Sequence, residues 1–493
     1  MIKLNSNSTL SVFRLLAKDS LVFGVLNAIS KFFSLFLTPL FTSQLTKEEY
    51  GTMDIINQLM SISGTIIILG MDSAIARFYY KDESLENRKK IISIGFWVQM
   101  LTSILVVIFI VSLKVFILSI YLKQSYKPSQ DIYITIMALI IFLSTPLRFA
   151  QNLLIWTYER KKYIILVGGF IFLNFFSIVV SLYLIDNKLQ AIFVGQIPSA
   201  TIFSVLSILY IKKYLVFKAE IRLFLNMLKY GSPLLLLALI PALIPALDRY
   251  FISSYGGLEQ VANYGIGYRI ATLVALPISS INTALGPYIL SIHKTEKAEI
   301  ILNLICYIII LVITSLIILI IICAPQIVLI LANIRYLPGI IVVAPLSYYF
   351  LIDMLKSICA SGIDISMKTY WNLVLYPFSF FILFLLLKFL TPSFGIIGAA
   401  SALFLSALLN FNLTTFVGKK VFHIKYNQFK ISFFISISFF ITLILGFSYK
   451  SDYYYLYGII TLILFPLLGS LFFFSNEQRV YVYNLIKTRI IKQ

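Results

Sequence analysis

Residues Ile305–Cys323 read ICYIIILVITSLIILIIIC, an almost wholly apolar run without a charged side chain. Taken with its flank from Glu299, it can cross a hydrocarbon layer of about 30 Å at about 1.5 Å per helical residue. Working outward, runs of the same kind recur along the chain, the first near 20–43 and the last near 453–474. Fourteen spans are predicted. At about 25 residues each they leave fewer than about ten residues per connector, so no folded domain fits outside the membrane. The fold class that follows is an all-α polytopic membrane protein.

Composition agrees. Of 493 residues, 60% are hydrophobic and only 12% charged, with a mean hydropathy of +0.95. Soluble domains carry about 25% charged residues, so a soluble globular enzyme is excluded. The net charge of +20 is unevenly placed. Of the 40 Lys and Arg residues, 27 fall on one set of alternate connectors and the two termini, and 8 on the other set. By the positive-inside rule both termini are expected in the cytoplasm. These cations orient the chain and touch anionic headgroups, and nucleic acid is not needed to explain them. Cys306, Cys323 and Cys359 lie inside apolar runs, and the only histidines are His293 and His423. Neither a disulfide framework nor a metal or cofactor site is indicated.

An internal repeat is weakly visible. Glu49-Tyr50-Gly51 between spans 1 and 2 has a counterpart in Asn263-Tyr264-Gly265 after span 7. The offset suggests six-helix lobes over 1–211 and 231–417, with spans 13 and 14 and a cytoplasmic tail in 418–493. Parallel halves of this kind are a transporter architecture, with the substrate path between them. The joint, 212–230, places Lys218, Arg222 and Lys229 on one helical face and Ile221, Phe224 and Leu228 on another. It reads either as an amphipathic helix on the cytoplasmic headgroups or as an ordinary basic loop.

The remaining five cations, Lys31, Arg148, Arg249, Arg269 and Lys356, fall within apolar runs. A charge at the bilayer centre costs about 2.5–3.5 kcal/mol on insertion scales, so each needs a partner or a watery cavity. Lys31 is eleven residues into span 1, roughly 16 Å deep, and Arg148 lies roughly 15 Å from the end of span 4. Two acids are expected at similar depth. Asp353 precedes Lys356 by three residues and can pair with it on one helix face. Asp248 adjoins Arg249 and reaches it only if the helix bends. That bend is expected from Pro233, Pro241 and Pro245, which remove backbone donors from span 7. An excess of three positive charges then lines the interior, a sign suited to an anionic passenger such as a phosphate ester. Gly398, Ala402 and Ser406 form a small-residue ridge for close packing. Acidic hydrolase clusters, phosphate-cradling glycine loops and nucleophile–His arrangements do not occur, so no enzyme is expected.

The stretch Ser20–Tyr80 resembles the start of the Wzx-type polysaccharide (oligosaccharide, O-antigen) flippase family of the multidrug/oligosaccharidyl-lipid/polysaccharide exporter superfamily. The residues that carry it are Gly24, Asn27, Lys31, Thr38-Pro39-Leu40, Leu45-Thr46-Lys47-Glu48-Glu49-Tyr50-Gly51, Leu69-Gly70-Met71-Asp72-Ser73-Ala74 and Arg77-Phe78-Tyr79. Asp248-Arg249, Tyr264-Gly265 and Gly395-Ile396-Ile397-Gly398-Ala399-Ala400 echo it later. The resemblance implies translocation of an undecaprenyl-diphosphate-linked oligosaccharide across the bacterial cytoplasmic membrane. It also implies two six-helix lobes around a cationic cavity, and a polymerase and chain-length regulator in the same pathway. It would set Lys31, Arg148, Arg249 and Arg269 against the diphosphate and sugars, with Lys356 a further cavity cation. Asp72 and Arg77 would stand at the cytoplasmic mouth, and Asp248 and Asp353 are the candidates for ion coupling. Three other readings stay open: a peptidoglycan-precursor flippase, a multidrug cation antiporter, and a membrane glycosyltransferase or polymerase. The antiporter would need acids in its lumen, and the enzyme clusters of Arg or Asp in outer loops.

Overall fold

Thr46 starts the first long helix with a reciprocal cap. Its hydroxyl accepts from the Glu49 N–H at 3.3 Å, and the Glu49 carboxylate accepts from the Thr46 N–H at 2.9 Å. This capping box satisfies donors that no helical carbonyl can reach. Tyr50, next in sequence, is fully buried, and a Cβ on Gly51 would lie 2.2 Å from the Leu258 carbonyl oxygen. The LTKEEYG stretch is therefore a helix start wedged against a neighbouring backbone.

The computed structural model describes Phe33, residues 35–81, 84–216 and 220–293, Thr295, residues 298–366, Lys368, and residues 370–422 and 426–474. Lys31, Lys218 and His423 lie outside the described residues. A helical segment at 35–44 (α1) precedes α2 (Lys47–Ile68), α3 (Met71–Lys81), α4 (Leu85–Ser112) and α5 (Lys114–Leu122). Then come α6 (Asp131–Trp156), α7 (Arg160–Leu184), α8 (Lys188–Val194) and α9 (Ile197–Ile211). The chain continues with α10 (Ile221–Ile292), α11 (Ala298–Leu331), α12 (Val343–Ile365), α13 (Tyr370–Val421), α14 (Gln428–Phe447) and α15 (Tyr454–Phe473). No strand occurs among the described residues. Eleven helical stretches of these residues are long and apolar enough to cross a membrane. Two of them, α10 and α13, are each interrupted by one glycine, Gly257 at φ 76° and Gly395 at φ 58°. Each therefore makes two spans, giving thirteen, and the first span falls mostly outside the described residues. The chain is a multi-pass membrane protein.

Two compact units share these helices, Met1–Ala262 and Asn263–Gln493. In the first, α6 packs against α4 and α9, and Met71, Ile75, Phe149 and Leu153 lie in a common core. Residues 221–230 do not lie apart as a surface helix or a loop: they open α10 and continue into span 7 without a break. Met227 is fully buried, and Leu223, Phe224 and Leu228 pack on the first unit's core. In the second unit α12 packs along α13, and Gly339 and Gly267 bring two backbones together where a Cβ on either would meet a carbonyl oxygen at 2.3 Å.

Two breaks differ from expectation. The prolines of span 7 stand in continuous helix, and the interruption falls at Gly257 instead. Neighbouring helices re-satisfy the groups that a membrane proline frees, whereas a left-handed φ needs glycine. Span 2 is split by Leu69 (φ 50°) and Gly70 (φ 70°), and Gly70 lies against Gly231, where a Cβ would meet its carbonyl oxygen at 2.1 Å. By contrast, nothing lies within 4 Å of a Cβ built on Gly257. Both Gly70→Ala and Gly257→Ala incur positive-φ strain of about 1–3 kcal/mol, and only Gly70→Ala adds a collision. Thermal unfolding of the purified variants should rank Gly70→Ala clearly below Gly257→Ala; equal melting temperatures would contradict the contact.

Candidate functional site

The break at Leu69–Gly70 sets Asp72 at the start of α3, and there its carboxylate is held from two sides. Gln99 Nε2 on α4 donates to one oxygen at 2.8 Å and Asn152 Nδ2 on α6 to the other at 2.6 Å. Arg148, one turn before Asn152, is close enough for its charge to act on Asp72. Its guanidinium lies on the backbone of α2 at Gly64: a Cβ there would be 2.2 Å from Nη1. The Arg148 side chain presents exposed surface although helices of the first unit surround it. That combination describes a cation lining a recess rather than one facing lipid. Arg77, two turns along α3, is exposed and stacks its guanidinium 4.3 Å from the centre of the Tyr230 ring.

Arg249 stands differently. It is buried, and its Nε donates to Asp54 Oδ2 at 2.8 Å while Nη1 donates to both oxygens of Asp248, at 3.0 and 3.1 Å. Asp54 on α2 and Asp248 on α10 are buried as well. The Arg249 side chain itself curls back to its neighbour, so no helix bend is needed for the pairing. Asp54 sits in Met53-Asp54-Ile55-Ile56, and an acid inside an apolar run is as costly as a cation there. Counting Asp54 and Asp72 with Asp248 and Asp353 sets four acids against the five intramembrane cations, so the expected excess of three falls to one. The physical reason is reach: acids near the nominal helix ends extend their side chains to cations at depth.

In the second unit, Lys356 Nζ donates to Asp353 Oδ1 at 2.7 Å across one turn of α12, and it lies 4.8 Å from the centre of the Tyr376 ring. Asp353 is exposed and Lys356 largely buried. Arg269 is half-buried on α10, beyond Gly257. The structure thus gathers Arg148 and Asp72 around one recess of the first unit and ties Arg249 into a separate ion cluster. It leaves Arg269 and Lys356 in the second unit. Gly64, Gln99, Asn152 and Asp54 position these groups, and the sequence reading does not single them out. Of the four, only Asp54 carried a signal of its own.

Long membrane helices interrupted by glycine, with paired charges at depth, make a polytopic helical membrane fold, and solved structures share it. The lipid II flippase MurJ, in an inward closed conformation, has 16% identity and a TM-score of 0.68, covering 95% of this chain and 100% of its own. An inward-facing multidrug resistance MATE family transporter of the MOP superfamily has 15% identity and a TM-score of 0.66, covering 79% and 94%. A MOP superfamily transporter from Pyrococcus furiosus has 14% identity and a TM-score of 0.58, covering 82% and 92%. No curated protein sequence is significantly similar to the chain. The polysaccharide biosynthesis protein family matches residues 16–293, more than half of the sequence, and the chain belongs to that family. The family-level resemblance carried by the N-terminal motifs therefore holds.

Removing one partner of a buried ion cluster strands an uncompensated charge, at a cost of about 3–5 kcal/mol. Arg249→Met alone should therefore sharply reduce the yield of folded protein. Arg249→Met combined with Asp54→Leu and Asp248→Leu should restore it, as judged by size-exclusion profile and melting temperature. Normal yield of Arg249→Met would show that the cluster contributes little to folding.

Proposed function

We propose that this protein is a flippase that carries an undecaprenyl-diphosphate-linked oligosaccharide repeat unit from the inner to the outer leaflet of the bacterial cytoplasmic membrane. The product feeds O-antigen (lipopolysaccharide), capsule or exopolysaccharide synthesis, beside the polymerase and chain-length regulator of that pathway. The observation that carries the proposal is the family match over 16–293 in a multi-pass chain with this transporter fold. Both termini face the cytoplasm, as the Lys and Arg asymmetry requires. Movement is alternating access by an N-terminal and a C-terminal six-helix lobe, with 418–493 appended. No catalytic step and no cofactor is involved, because the cargo is moved and not altered.

In this reading Arg148 and Lys31 meet the diphosphate, since an Arg fork and a Lys ammonium both pair with phosphate oxygens. Arg269 and Lys356 extend the cationic lining. Asp72 and Arg77 stand at the cytoplasmic mouth, and the carboxylates Asp248 and Asp353 are the groups open to ion coupling. Arg249 acts through Asp54 and Asp248 and holds α2 to α10, rather than meeting cargo. Asp72, beside Arg148, keeps the guanidinium from binding the diphosphate too tightly for release.

A peptidoglycan-precursor flippase is the second reading, favoured by the end-to-end fold similarity to MurJ. The two differ in the lipid that each must carry. With protein levels normal, Arg148→Ala and Lys31→Ala should cut export of the sugar polymer at least about tenfold, the loss of one phosphate-paired cation. Gly64→Val, which displaces the Arg148 guanidinium, should reduce export part-way. Wild-type export by Arg148→Ala and Lys31→Ala would remove the diphosphate role from these positions.

A further inference from the structure

The second unit carries a cavity of about 770 Å³ at the end of the bundle where α11 and α14 begin and α13 and α15 finish. It is lined by Lys419 from α13 and Lys430 from α14, with Tyr307, Phe473 and Phe474 beside them and Glu299 from α11 also in the lining. Tyr307 and Phe473 stack at 4.5 Å, forming an aromatic wall between α11 and α15. Lys430 Nζ lies 5.7 Å from the Tyr307 ring centre, 5.3 Å from Phe472 and 5.9 Å from Phe473, and donates to the Phe473 carbonyl at 3.3 Å. Among the described residues no carboxylate forms an ion pair with Lys419 or Lys430.

Two half-buried ammonium groups facing one cavity repel each other and are incompletely hydrated, so an anion entering between them is favoured. The cavity lies where helix ends meet the headgroup layer, and its wall of rings is apolar. A ligand that is anionic at one end and apolar at the other satisfies both features, whereas a free anion uses only the lysines. Aromatic residues at this level characteristically sit against the glycerol and upper acyl region of a lipid. We infer that Lys419 and Lys430 hold the phosphate diester of a membrane phospholipid, with its chains lying against Phe473 and Tyr307. The site is separate from the recess around Arg148 and does not depend on what the protein transports. Its lipid would tie α14 and α15 to α11 and α13 at the membrane surface.

Native mass spectrometry of the detergent-purified full chain, titrated with phosphatidylglycerol, tests this. Removing two cations near a membrane surface should weaken lipid retention about tenfold to thirtyfold. That loss is expected in Lys419→Gln/Lys430→Gln. Lys419→Arg/Lys430→Arg and the control Lys450→Gln, in the α14–α15 connector, should retain lipid as the wild type does. Should the double Gln variant fail to fold, Lys419→Gln alone, with the Lys430 ring contacts intact, should still lose several-fold. Millimolar glycerol phosphate should not displace the lipid. Equal retention by the Gln variants would overturn the proposal. So would displacement by millimolar glycerol phosphate, which would assign the lysines to a soluble phosphate.

Discussion

A charge taken into a bilayer has no water to fall back on, and the pairing of Arg249 with Asp54 and Asp248 meets that constraint at the point where α2 and α10 touch. The three groups are buried together. Around them the backbone approaches closely twice more, at Gly51 against Leu258 and at Gly70 against Gly231. Helix α2 is thus fixed to α10 just after its first turn at Gly51, two turns in at Asp54, and just past its end at Gly70. The recess that holds Arg148 and Asp72 is built on the same α2, so its geometry inherits this anchoring.

The membrane architecture was legible in the sequence because hydropathy reports burial in lipid directly. The Lys356–Asp353 pair was legible too, since three residues along a helix fix the distance. The Asp54–Arg249 contact was not: its partners are 195 residues apart, and no local spacing encodes that. The break at Leu69–Gly70 was hidden because Asp72, Arg77 and Lys81 make the segment after it read as the start of a polar connector rather than as a second helix. At span 7 the three prolines stand in continuous helix, and Gly257 makes the break. A membrane helix absorbs a missing N–H more readily than a non-glycine residue absorbs a positive φ.

Several motifs that carry the family resemblance acquire physical reasons. LTKEEYG is a capping box followed by a buried tyrosine and a glycine pressed on a carbonyl. LGMD is a left-handed break that presents Asp72 to Gln99 and Asn152. In GIIGAA, Gly395 turns the chain between two spans of α13, and Gly398 lets the second start against the end of the first, at the Leu390 carbonyl. Asp248-Arg249 is an ion cluster. What these motifs specify is a scaffold, and that scaffold sets the Arg148 guanidinium against Gly64 of α2, close to Asp72.

The central claim, that the protein moves a lipid-linked oligosaccharide between leaflets, is tested most directly in cells from which it has been removed. The measurement is the amount and the membrane face of undecaprenyl-diphosphate-linked repeat units. Flipping as the missing step predicts single repeat units accumulating on the cytoplasmic face. Single units accumulating on the outer face would contradict it and would place the defect in polymerisation.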